Sequence, residues 1–153
     1  MAYYTKVLQP GENVRYVGGL HWIIYKHSIV FGVLTVIALV IYLDQSAGQW
    51  PIALLAAIIF LLLGIISFVR SWFVHVTTEI VVTDKRVIYK VGWIARRTEE
   101  MSVTKVETVD VNQGIAGRIL GFGTILIRGT GGSWEPLRHV AAPLALRNAV
   151  IVG

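Results

Sequence analysis

Two long apolar runs dominate the pattern of hydrophobic and polar positions, and a change of period follows them. Between Lys26 and Asp44 the chain reads HSIVFGVLTVIALVIYL, and a second uncharged stretch before Arg70 ends in PIALLAAIIFLLLGIISFV. A helix needs about 20 predominantly apolar residues to cross about 30 Å of hydrocarbon. The second run meets that requirement by itself. The first reaches it once Trp22 to Tyr25 are added, with Lys26 and His27 snorkelling toward the interface. The competing explanation is a helical hairpin buried in a soluble core, but too little of the chain remains to wrap both helices. Pro51 suits a first helical turn, and polar residues 44–49 form a short connection before it, so the two runs are expected to make an antiparallel membrane hairpin.

After Val74 the pattern shifts to short β-branched runs broken by turn residues. Strands are expected at 78–83 and 86–91, joined by a tight turn at Asp84-Lys85, and then at 98–102, 106–111, 124–128 and 133–140. Gly129 to Gly132 provide a flexible turn before the last of these. A helix starts near Ala142-Pro143 and carries Leu144, Leu146, Val150 and Ile151. An antiparallel sheet of this size ordinarily curls into a barrel or sandwich, which hides its edges, and the helix is placed to cover one open end. The expected organisation is an N-terminal segment 1–21, a two-helix hairpin 22–71 and a β-rich domain 72–153.

Composition sharpens this picture. Of 153 residues 55% are hydrophobic and 15% charged, against about 45–50% and about 25% in soluble domains, so a wholly soluble globule is disfavoured. The absence of cysteine excludes disulfides, thiolate metal sites and a cysteine nucleophile. The net charge of +5 is partly a matter of topology. Lys6, Arg15 and Lys26 precede the first helix and Arg70 closes the second, while the connection between them holds no Lys or Arg; the positive-inside rule therefore puts both termini in the cytoplasm. A cleaved signal peptide is disfavoured by the polar and aromatic residues ahead of the first run and the second run soon after it. Trp22, Tyr25, Lys26, Trp50, Arg70 and Trp72 fall where interfacial anchors are expected.

Several segments together are similar to the bacterial pleckstrin-homology (PH) domain family: Thr83-Asp84-Lys85-Arg86-Val87-Ile88-Tyr89, Val91-Gly92, residues 103–111, Gly117-Arg118-Ile119-Leu120-Gly121-Phe122-Gly123-Thr124 and residues 131–137. The resemblance covers roughly residues 72–150. It implies a PH-like, partly open antiparallel barrel capped by a C-terminal helix, frequent self-association, and, in membrane-anchored members, two preceding transmembrane helices. The location it implies is a bacterial inner membrane, with the chain crossing twice.

Candidate chemistry is sparse. Lys85, Arg86, Lys90, Arg96 and Arg97 concentrate positive charge near the first hairpin, and Arg86, Ile88 and Lys90 share one strand face, so a lipid-facing surface is one reading. A solvated strand balanced by Glu79, Asp84, Glu99 and Glu100 is the other. The headgroup pattern of many eukaryotic PH domains is not matched and does not carry over. Gly117, Gly121 and Gly123 lack the Gly-Lys-Ser/Thr of a Walker loop and lead into a strand, which points to close backbone packing or a turn. His21, His27, His75 and His139 are too scattered for a metal motif, and no nucleophile elbow or triad is evident. No catalytic residue, cofactor or nucleic-acid partner is expected. The expected role is an adaptor or scaffold at the membrane that binds the bilayer and either further copies of itself or a larger membrane complex. An accessory subunit and a lipid or small-ligand sensor are the alternatives.

Overall fold

The computed structural model describes residues 8–44, 50–92, 97–130, 132–133 and 136–151, the side chains of Trp50 and Ser133 excepted. Two compact units emerge: Trp22–Phe73, and Met1–His21 together with Val74–Gly153.

In the first unit a short 3-10 turn, Trp22–Tyr25, leads into α1 (Lys26–Leu43), and α2 occupies Trp50–Thr77. Neither glycine nor proline follows Gly64 before Gly92, so nothing in the covalent chain stops α2 at Arg70. It continues to Thr77, 28 residues in all, or roughly 42 Å at the α-helical rise. The buried positions of the pair are small: Thr35, Ala38, Ala53 and Ala57. A Cβ on Gly64 would lie 3.4 Å from the Cβ of Phe31, so the backbones approach closely there. The Ser71 hydroxyl donates to the Ile24 carbonyl at 3.1 Å, and the Tyr25 and Phe68 rings are 5.4 Å apart. These contacts make the pair antiparallel, with the segment around Trp22 to Lys26 level with Phe68 to Trp72. Most other side chains of both helices, Val33, Val36, Val40, Leu55, Leu62 and Ile66 among them, are exposed. Both helices are long and apolar enough to cross a membrane.

The second unit is built on two antiparallel sheets. β1 (Val14–Gly18), β2 (Glu79–Thr83), β3 (Arg86–Val91) and β4 (Arg97–Ser102) form the first in that order. In the second, β6 (Phe122–Gly129) pairs on one side with β5 (Val106–Asn112) and on the other with β7 (Gly132–Ser133) and β8 (Leu137–Ala141). A 3-10 turn, Val103–Lys105, joins the sheets, α3 (Ile115–Leu120) links β5 to β6, and α4 (Pro143–Ile151) follows β8. On one side the sheets are also linked by the N-terminal segment. β1 pairs with β2 from Val14↔Thr83 to Gly18↔Ile80, and the chain then crosses to β8, where Ala141 N–H donates to Gly19 O at 3.0 Å and His21 N–H to His139 O at 2.7 Å. The result is the partly open PH-like barrel expected, with α4 as its cap. The core joins Ile80, Val82 and Val87 of the first sheet to Val109, Ile125, Ile127, Leu137 and Val140 of the second, and α4 closes it with Leu146 and Val150. Leu144 and Ile151 face outward.

Three features depart from the sequence pattern. The N-terminal segment, expected as a separate stretch ahead of the helices, supplies β1. The strand expected at 133–140 is divided into β7 and β8, with Pro136, which has no N–H to give a ladder, between them. Residues 115–120, expected as part of a turn, form α3, which ends where Gly121 adopts a left-handed conformation (φ +79°) and its N–H donates to Gly117 O at 2.9 Å.

The mounting of α3 is tight. A Cβ on Gly117 would stand 2.5 Å from the Phe122 carbonyl oxygen, whereas one on Gly114 would meet nothing within 4 Å. Alanine favours a helix over glycine by about 1 kcal/mol, but the obstruction at Gly117 is backbone and overpacking costs about 1–3 kcal/mol. Gly117→Ala is therefore expected to lower the unfolding midpoint of the full-length protein in detergent, while Gly114→Ala leaves it within a degree or two. Equal midpoints for the two variants would show that the close approach imposes no constraint.

Candidate functional site

The strongest polar cluster starts with Glu12, whose side chain has no exposed surface. A buried carboxylate is costly unless every lone pair finds a donor. Here Arg86 donates through Nε to Oε1 and through Nη2 to Oε2, both at 2.9 Å; the Thr83 hydroxyl donates to Oε1 at 2.7 Å and the Gln9 N–H to Oε2 at 2.9 Å. Arg86, 16% exposed, also donates through Nη1 to Glu100 at 2.7 Å. Thr83 organises the tight β2–β3 turn as well, since its oxygen accepts from the N–H groups of Lys85 and Arg86. Beside it, Asn13 N–H donates to Asp84 Oδ1 and Asp84 N–H donates to Asn13 O, each at 3.1 Å. Hydrogen bonding from Arg86 holds the Glu12 carboxyl well below its ordinary 4.5, at about 2, against the opposing effect of burial; Gln9 and Thr83 lower it further. The same pairing raises Arg86.

This cluster separates the basic residues expected to act together. Arg86 is committed to Glu12 and Glu100. Arg97, exposed, pairs with Glu99 at 2.7 Å. Lys90 stands directly opposite Glu79 in the β2–β3 register, and Lys85 is exposed at the turn next to Asp84. Arg96 lies outside the described residues. Glu12, the partner that gives Arg86 its place, went unnoticed in the sequence because it lies 74 positions away.

A second polar locus is an open groove of about 900 Å³ between α3 and the start of α4, lined by Asn112, Gln113, Arg118, Gly121, Leu144 and Arg147 among others. Gln113 Nε2 donates to the carbonyls of Gly117 at 3.3 Å and Phe122 at 3.0 Å, and Ala142 N–H donates to Gly121 O at 2.9 Å. Gly123 packs so closely that a Cβ would sit 2.8 Å from Gln113 Cγ and 3.0 Å from Pro143 Cγ. The glycines of this segment thus serve backbone packing and a helix cap. His21 and His139 flank the Phe122 ring, with centroids 5.3 Å and 6.3 Å from it. Among the described residues no group of three His, Cys, Asp or Glu side chains could hold a metal ion.

Five of the six residues expected as interfacial anchors lie at one end of the helix pair. Trp22 and Tyr25 lie in the 3-10 turn and Lys26 opens α1; Arg70 and Trp72 lie on the part of α2 held to that turn by Ser71, with the Trp72 and Phe73 rings 5.2 Å apart. Trp50 begins α2 at the other end.

The model of the bacterial PH domain family matches residues 28–151, most of the length, and the chain belongs to that family. The match opens inside α1, so it takes in most of α1, all of α2 and the barrel from β2 onward, but not β1. No curated protein and no solved structure matches the chain. Domains of this family are generally non-catalytic modules for binding proteins or lipids.

The Glu12 pair has a pH signature. Its folded pKa lies below the unfolded value, so the stabilisation is complete above pH 4.5, declines below that and is lost as pH falls through about 2. Glu12→Gln is expected to destabilise the full-length protein by about 3 kcal/mol at neutral pH, because it leaves Arg86 without its buried partner. Glu99→Gln, at a partly exposed pair, is expected to cost less than about 1 kcal/mol. Unfolding of both variants in detergent from neutral pH into the acid range measures this; a wild-type acid slope unchanged in Glu12→Gln would remove Glu12 as its source.

Proposed function

We propose that the protein is a membrane-anchored adaptor or scaffold: α1 and α2 cross a bacterial inner membrane, and the barrel binds proteins in the cytoplasm, oriented by anionic lipid. The observation that carries this reading is the β1–β2 pairing. Residues just before α1 and just after α2 are hydrogen-bonded neighbours, Gly18 with Ile80, so the chain leaves the barrel and returns to it at one place. If α1 crosses a bilayer, α2 has to cross back for β1 and β2 to meet, and an even number of crossings keeps both termini on one side. The exposure of apolar side chains around both helices supports the same conclusion, because a soluble protein would leave this surface in water. The aromatic and basic residues at one end of the pair suit an interface, and the lack of positive charge in residues 44–49 favours both termini in the cytoplasm. Family membership supports binding rather than turnover.

The chain has no native cysteine, so single-cysteine variants report topology without background. In intact cells a membrane-impermeant maleimide is expected to label Ser46→Cys and to spare Glu107→Cys until the inner membrane is opened; the reverse pattern would invert the topology. Purified in mild detergent, the protein is expected to carry stoichiometric partners, either further copies of itself or foreign chains. A partner-free monomer, or a turnover abolished by one substitution, would overturn the adaptor reading.

A further inference from the structure

We infer that α3 and the adjoining start of α4 form the surface through which the barrel touches an anionic lipid bilayer. This inference rests on the membrane anchoring proposed above and names the contact surface, which is not the basic β2–β3 hairpin.

Charge decides between the two surfaces. Residues 79–100 contain five cations and four acids, and Glu12, docked on Arg86, brings that region to zero. Two of its cations are also occupied: Arg86 by Glu12 and Glu100, Arg97 by Glu99. The C-terminal part differs. After Asp110 the chain has four arginines, Arg118, Arg128, Arg138 and Arg147, and one acid, Glu135. Asp110 itself pairs with Arg128 at 3.3 Å. Arg118 and Arg147 line the same groove from its two sides and are exposed; Asp110, the acid among its lining residues, is the one paired with Arg128.

Apolar exposure coincides with that charge. Ile115 and Ile119, one helical turn apart on α3, are 82% and 79% exposed, and Leu120 and Leu144 are exposed beside them. Such side chains gain almost nothing from folding, yet the helix presenting them is held firmly by the Gln113 hydrogen bonds, the Gly121 cap and the close packing at Gly117. Apolar tips flanked by arginines, with no acid on the same helix, are complementary to an anionic interface, where the tips enter the acyl boundary and the guanidinium groups meet phosphate.

The test labels Ile119→Cys with an environment-sensitive fluorophore in the full-length protein, reconstituted into phosphatidylcholine bilayers with or without phosphatidylglycerol. Lipids spin-labelled at a shallow acyl position serve as quenchers. Quenching is expected in the phosphatidylglycerol bilayer, with the inserted-to-free ratio reduced at least about tenfold by Arg118→Gln with Arg147→Gln. The same label at Val36, within α1, reports the anchor separately. If Val36→Cys is quenched and Ile119→Cys is not, the anchor stands and this surface assignment fails. If neither is quenched, the anchoring falls first and takes the inference with it. Quenching indifferent to phosphatidylglycerol refutes the anionic assignment. A blue-shifted but unquenched label at Ile119→Cys means that a protein, whether a second copy or another chain, covers the face, and that too overturns the proposal.

Discussion

Glu12 is the carboxylate on which the two segments of the barrel that flank the long helices converge. It sits in a short turn before β1, and all of its side-chain donors except the Gln9 N–H come from the β2–β3 turn, beyond both long helices. Burying a carboxylate is tolerable when its lone pairs are filled, and the fork of Arg86 fills two of them in one plane. The Thr83 hydroxyl then ties the acid to the hairpin turn it helps shape. β1 adds a strand to the first sheet, and residues 19–21 carry the chain across to β8, so one N-terminal stretch both supplies an edge and bridges the sheets. The helix pair is consequently an insertion between two neighbouring strands of one domain, and the barrel is complete only when both flanking segments reach the same side of whatever the helices traverse.

That constraint bears on the topology. Counting positive charges around apolar runs gives an orientation, but it treats each run separately. Strand pairing across the insertion couples the two runs, since one crossing without the other would separate Gly18 from Ile80. The length of α2 has a related consequence. At roughly 42 Å it exceeds the about 30 Å of a hydrocarbon core, and polar and aromatic residues become frequent in its last two turns, from Arg70 onward.

What could be read from the sequence follows the range of the interactions. The apolar helices, the β2–β3 hairpin, the β6 alternation and the C-terminal helix all rest on neighbours within a few positions, and periodicity reveals them. β1 was hidden because Val14 to Gly18 is short and its partner strand lies some 65 positions away. Alternation correctly put Arg86 and Lys90 on one face of β3, but nothing nearby indicated that Glu12 would cover Arg86 there. α3 was hidden for a different reason: glycines at 117, 121 and 123 suggest a turn, and whether they bracket a helical turn depends on Gln113 and Pro143 packing against them. The family resemblance supplied the barrel and its capping helix, because it describes a whole arrangement rather than local patterns, but none of these three features.

The Gly117-to-Gly123 segment also separates what the fold requires from what it leaves open. Gly117 and Gly123 have no room for a side chain, and Gly121 needs its left-handed backbone. Arg118 and Ile119, between them, face outward and bear no packing duty. An exposed isoleucine gains none of the roughly 1.5–3 kcal/mol that burial would bring, and any polar residue would serve the helix as well. Two isoleucines one turn apart on a rigid mount, next to an arginine and facing a second arginine across a groove, therefore have no explanation inside the barrel. Their chemistry is directed outward, at a surface that offers both an apolar layer and negative charge, and a tethered domain has such a surface at hand wherever its anchor is embedded.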